Sequence, residues 1–80
     1  MGWYIVGLDG DKIKNQMISH YKQAWRRKKI AANYIQWGCD EVWEIPLLKY
    51  TQKVCEKTPS EFIAWIKSHG QKIGQIERKN

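Results

Sequence analysis

From Lys22 to Trp37 the chain runs sixteen residues without a proline or a glycine and then meets Gly38. That length of uninterrupted chain, closed by a residue able to take positive φ, predicts a helix with its C-terminal stop. On a helical wheel Ala24, Trp25, Ala31, Ala32 and Ile35 share a broad apolar face, adjoined by Ile30, Tyr34 and Trp37. The remaining stripe is Lys22, Arg26, Lys29, Asn33 and Gln36, which gathers three cations and two amides on one ridge. Lys28 interrupts the apolar face and is expected to lay its methylenes along the core with its ammonium in solvent.

A helix of this kind needs a surface to pack on, and the N-terminus offers one. Trp3-Tyr4-Ile5-Val6 is aromatic and β-branched and runs into Gly7 and Asp9-Gly10, which predicts a short strand ending in a tight turn. The next segment has two readings. Either Asp9-Gly10 closes a hairpin and Lys12 to Ser19 returns as a strand, or Asp11 caps a helix with Ile13, Met17, Tyr21 and Ala24 or Trp25 on its apolar side. The helical spacing is favoured. Farther on, Val42-Trp43-Glu44-Ile45 reads as a brief extended piece before Pro46, and Pro46 suits the first turn of a helix carrying Leu47, Leu48, Thr51, Val54 and Cys55. Thr58-Pro59-Ser60-Glu61 is a capping box opening a helix with Phe62, Ile63, Trp65 and Ile66 on its buried side and Gly70 at its end. Residues 71–80 hold Ile73 and Ile76 among polar neighbours, and either add an edge strand or fray. The expected fold is therefore α+β: one small domain over residues 1–80, with a short N-terminal strand or hairpin packed against about three helices.

Charge is distributed unevenly. Between Asp11 and Asp40 there are seven cations (Lys12, Lys14, Lys22, Arg26, Arg27, Lys28, Lys29) and no acid, giving +7; the whole chain carries +6, so the remainder is −1. Asp40, Glu41 and Glu44 follow the basic block directly. Such asymmetry predicts an electropositive surface that attracts polyanions and a chemically different surface elsewhere. Five Trp, four Tyr and one Phe in 80 residues exclude a disordered basic tail. No stretch approaches the ~18 apolar residues of a membrane span, and no basic-then-apolar leader opens the chain, so a soluble cytoplasmic protein is expected, without membrane association. Cys39 and Cys55 are too few to staple a fold and read as small buried hydrophobes.

The residue types that catalysis needs are not grouped. There is no phosphate-cradling glycine loop, nucleophile elbow or CxxC. His20, Cys39, Cys55 and His69 have the right chemistry for zinc but lack the close pairs that let two ligands bind from one turn. Asp9 and Asp11 around a glycine read as a turn, since the further oxygen ligands of a calcium loop are missing. His69 falls in the last turn of the capped helix, where an imidazolium is favoured by the helix dipole. No enzyme activity, cofactor, metal or small-molecule substrate is expected.

Binding remains. The ridge Lys22, Arg26, Lys29, Asn33 and Gln36, with Arg27 and Lys28, can contact phosphates of DNA or RNA, or an acidic partner. Trp25 and Trp37 bracket this run and have the chemistry to stack on unpaired bases, but they fall on apolar arcs of the wheel, which predicts them in the core. Trp3, Trp43 and Trp65 are the tryptophans expected at a partly exposed protein interface, Trp43 with an acidic rim of Glu41 and Glu44. This aromatic surplus favours a small non-catalytic protein that docks on a larger nucleic-acid-processing machine and modulates or inhibits it; direct binding of nucleic acid through Lys22, Arg26 and Lys29 is the alternative. The opening Trp3-Tyr4-Ile5-Val6 before a helix resembles the start of the NusG N-terminal domain family of transcription elongation factors. That family's later aromatic-rich strand has no counterpart here, and no site residue is carried over. In its small, basic, Trp-rich character the chain is similar to accessory proteins of phages and plasmids.

Overall fold

A computed structural model describes residues 2–50 and 57–77. Within them the chain forms β1 (Trp3–Asp9), β2 (Lys12–Ser19), α1 (Ala24–Gln36), β3 (Glu41–Pro46), α2 (Pro59–His69) and β4 (Gln71–Gln75). The four strands make one antiparallel sheet in the order β2-β1-β3-β4. The described residues thus hold a four-stranded sheet and two helices, which corrects the expectation of a short N-terminal strand or hairpin with about three helices; of the two readings of Lys12–Ser19, the hairpin is the one formed.

Two segments account for the difference. Lys12–Ser19 is a strand because a two-residue loop closes it onto β1: Asp9 pairs with Lys12, and Gly10 takes φ 62° in the first loop position, a conformation glycine supplies without strain. The helical spacing of Ile13, Met17 and Tyr21 lost to that turn. The register then slips between Gly7 and Leu8, which pair with Asn15 and Ile13 and leave Lys14 as the extra residue of a bulge. At the second segment β3 runs through Pro46, and the chain makes a tight turn in which the amides of Lys49 and Tyr50 donate to the carbonyls of Pro46 and Leu47. Of the helix expected there, Thr51, Val54 and Cys55 lie outside the described residues.

The sheet is covered on both sides. Tyr4, Val6, Leu8 and Ile45 face Phe62, Ile63 and Ile66 of α2, while Ile5, Cys39 and Val42 face Ala31 and Tyr34 of α1. Burial of β1 and β3 from two directions explains why Tyr4-Ile5-Val6-Gly7-Leu8 is continuously buried instead of alternating. Gly7 is required by the close approach of α1's end: a Cβ there would lie 2.6 Å from Cys39 Sγ and 3.0 Å from Tyr34 Cδ2. The capping box forms as read, with Thr58 Oγ1 accepting from the Glu61 amide at 3.3 Å and donating to Glu61 Oε1 at 2.9 Å. Gln71–Gln75 is the edge strand of the two alternatives left open for the tail. Among the described residues no helix is long and apolar enough to cross a membrane.

Candidate nucleic-acid interface

α1 meets the sheet through Arg27, Ile30, Ala31, Tyr34 and Ile35, a stripe at i, i+3, i+4, i+7 and i+8. The sequence places the buried face on Ala24, Trp25, Ala31, Ala32 and Ile35, adjoined by Ile30, Tyr34 and Trp37; the structure turns the helix so that Arg27 is inside and Ala24, Trp25, Ala32 and Trp37 are outside. Glu44 causes this rotation. It projects from β3 toward α1, and Arg27 Nε and Nη2 reach its two carboxylate oxygens at 2.6 and 3.3 Å. Arg27 Nη1 donates to the carbonyls of Tyr21 and Lys22 at 2.9 and 3.0 Å, and the guanidinium lies 3.9 Å from the centre of the Trp3 ring. Only 7% of Arg27 and 6% of Glu44 are exposed. A buried charge is tolerable when paired and hydrogen-bonded this fully. Arg27 therefore leaves the basic contact surface, and Glu44 leaves the acidic rim proposed for Trp43.

Arg27 nonetheless shapes the surface it does not join. Its two bonds to carbonyls fix the 21–22 segment against the start of α1, and that puts the Tyr21 ring beside Arg26. The Arg26 guanidinium sits 5.1 Å from the Tyr21 ring centre and 5.2 Å from that of Trp25, and Lys29 Nζ is 5.2 Å from Trp25 on the other side of the sequence. Two aromatic rings and two cations are thus interleaved, with Ile30 and Asn33 completing a shallow groove of about 320 Å³. Trp25 is 55% exposed and Trp37, at the C-terminal end of the same helix, 60%. Lys22, Lys28, Lys29, Asn33 and Gln36 are all exposed, so the ridge read from the wheel is present with Trp25 added to its crest. The first turn of α1 holds no acidic side chain, so its positive dipole end adds to the same field.

The other tryptophans are half-buried. Trp3 is covered by Arg27. Trp43 donates its Nε1–H to Glu41 Oε1 at 2.9 Å and packs against the α2-side core, with Lys72 Nζ 6.0 Å from its ring centre. Trp65 stacks between Phe62 and His69, at 6.4 and 5.2 Å between ring centres. His69 is held by that stack and by Nδ1 donating to the Trp65 carbonyl at 3.0 Å. Glu41 also faces Lys67 at 3.7 Å.

Sequence reasoning missed Tyr21 in this groove and the exposure of Trp25 and Trp37, both expected in the core. The available signal was Arg27 at the start of an i, i+4, i+7 stripe with Ala31 and Tyr34, which a count of apolar residues discounts because it scores every arginine as surface. Acidic side chains gather elsewhere: Asp11, Asp40 and Glu41 line a cavity of about 720 Å³ between the Gly10 turn and α2. Asp40 Oδ2 accepts from the Gly10 amide at 3.1 Å. Among the described residues no three His, Cys, Asp or Glu side chains converge to hold a metal ion. No protein-family model, curated protein or solved structure matches this chain.

Proposed function

We propose that this is a non-catalytic cytoplasmic protein that binds nucleic acid directly through the outer face of α1. The observation that carries the reading is the interleaving of Tyr21, Arg26, Trp25 and Lys29 on an exposed helix face free of acidic side chains. Phosphates draw Lys and Arg at any sequence through counterion release, and aromatic faces among those cations suit bases. The packing of Trp3, Trp43 and Trp65 moves this reading ahead of one in which those three rings anchor a protein partner. Binding of a fluorescent oligonucleotide at several salt concentrations tests it: affinity falls steeply as salt rises. Arg26→Ala and Lys29→Ala each remove about 0.7 to 0.9 from the slope of log affinity against log salt. Binding that ignores salt, or that survives both substitutions unchanged, contradicts it.

Docking on a larger nucleic-acid-processing machine, as a modulator or inhibitor, stands as a second reading on a different surface. β2 is an edge strand, and its exposed Met17 and Ile18 border a shallow groove with Tyr4, Gln16 and Tyr50. An unpaired strand edge with apolar side chains is a place for another chain to add. In nuclease-treated extracts, a partner retained by the wild type and by Arg26→Ala but lost by Ile18→Asp supports docking; retention that follows Arg26 instead assigns the contact to nucleic acid.

A further inference from the structure

Trp25 stands on the crest of α1 with more than half its surface open, and two cations lie against its ring. Resting on the nucleic-acid reading above, we infer that this face takes single-stranded nucleic acid, with an unpaired base stacked on the Trp25 indole and the flanking phosphates met by Arg26 and Lys29. The ring's position argues for an unpaired strand. In a duplex every base face is already stacked, so an indole on the crest of the helix would press on sugar and phosphate and give up hydration without a partner surface. An unpaired base presents the π-face that an indole matches, and stacking of this kind tolerates any sequence. The cations are already gathered: Arg26 lies between the Tyr21 and Trp25 rings, so moving it from ring to phosphate takes a side-chain rotation and no backbone shift.

The same helix offers a second platform. Trp37 follows Trp25 by twelve residues, about 18 Å along the axis at ~1.5 Å per residue, and its exposed ring leans on Tyr34 at 6.0 Å. Asn33, between them, has an amide able to bond base edges. A strand running along α1 thus meets Trp25, Arg26 and Lys29 near one end, then Asn33, and Trp37 at the other.

Fluorescence anisotropy with three labelled probes of equal length separates stacking from charge: oligothymidylate, an abasic phosphodiester strand, and a duplex. Wild type holds oligothymidylate about tenfold or more tighter than the abasic strand, and tighter than the duplex at equal salt. Trp25→Ala narrows the gap between oligothymidylate and abasic strand severalfold, the remainder falling to Trp37; Trp25→Phe restores most of what is lost. Trp25 lies outside the core, so neither change disturbs the fold. Equal binding of oligothymidylate and abasic strand by wild type, a gap that Trp25→Ala leaves unchanged, or a preference for duplex overturns the single-strand assignment and leaves phosphate binding by α1 standing. Failure to bind any of the three overturns both.

Discussion

At the scale of single residues, Arg27 has the largest structural effect for its size. Its guanidinium joins β3, the 21–22 segment and Trp3 in one network, so removing it strands the Glu44 carboxylate in the interior. Breaking a buried pair from one side typically costs about 3 to 5 kcal/mol. Arg27→Ala should therefore lower the free energy of unfolding in urea by about that amount. Pairing Arg27→Met with Glu44→Leu should recover most of it, because both charges then disappear together. If instead the single variant costs less than about 1 kcal/mol, as exposed pairs do, the pair is not buried in solution. Gly7 makes a different kind of residue-scale claim. A methyl group there crowds Cys39 Sγ and the Tyr34 ring where the end of α1 meets the sheet, so Gly7→Ala should destabilise by about 1 to 3 kcal/mol, the usual cost of overpacking. Gly10→Ala meets no neighbouring atom but is strained by its positive φ.

At the scale of elements, the sequence told strand from helix where local chemistry was strong and failed where pairing decided. α2 was legible in full because Thr58, Pro59 and Glu61 specify its start through their own hydrogen bonds and Gly70 ends it. Thr58→Ala should cost about 1 kcal/mol, measured by urea unfolding, since it leaves the Glu61 amide without its cap. β2 has two readings in the sequence, of which the favoured helix is not the one formed, because Ile13 and Met17 fit two periods at once and only the register with β1 chooses between them. That choice depends on residues distant in sequence, among them Tyr4, whose hydroxyl bonds Gln16 across the hairpin. α1 was found as an element but rotated. Its true face contains an arginine whose partner, Glu44, is seventeen residues away, and periodicity within one helix carries no information about that partner. The basic ridge survived the rotation because Lys22, Lys29, Asn33 and Gln36 lie opposite the buried stripe under either reading.

At the scale of the molecule, a helix on each side of the sheet separates a basic, aromatic surface from one of mixed charge. The α1 side carries Lys29, Arg26 and the exposed rings; the α2 side carries the cavity lined by Asp11, Asp40, Glu41 and Lys67. Of the +7 block and its acidic successor, Lys22, Arg26 and Lys29 lie on the outer face of α1, Lys12 and Lys14 belong to β2, Arg27 and Glu44 form the internal pair, and Asp40 and Glu41 line the hollow beside Lys67. The two-sided core also has a pH signature. Burial, together with neighbouring Tyr50 and Tyr34, pushes the Tyr4 hydroxyl up from the ordinary phenol value of 10.0, and burial together with Cys39 pushes up Tyr34. A group whose folded pKa is raised contributes its full stability below the unfolded value and loses it as pH climbs toward the folded one. Unfolding midpoints should therefore drop above about pH 10, and Tyr34→Phe, which has no proton to lose, should show a shallower drop than wild type. Parallel curves for the two proteins would mean that Tyr34 ionises as freely folded as unfolded.

The central claim is that nucleic acid meets this protein on the outer face of α1, and an NMR titration of isotope-labelled protein with an unlabelled single-stranded oligonucleotide tests it most directly. The account predicts that the Trp25 indole N–H and the amides of Arg26, Lys29 and Asn33 shift together in a saturable way, while α2 and β4 stay still. Shifts centred on α2 or on the hollow lined by Asp11 and Asp40, or no shifts at any oligonucleotide concentration, would contradict it.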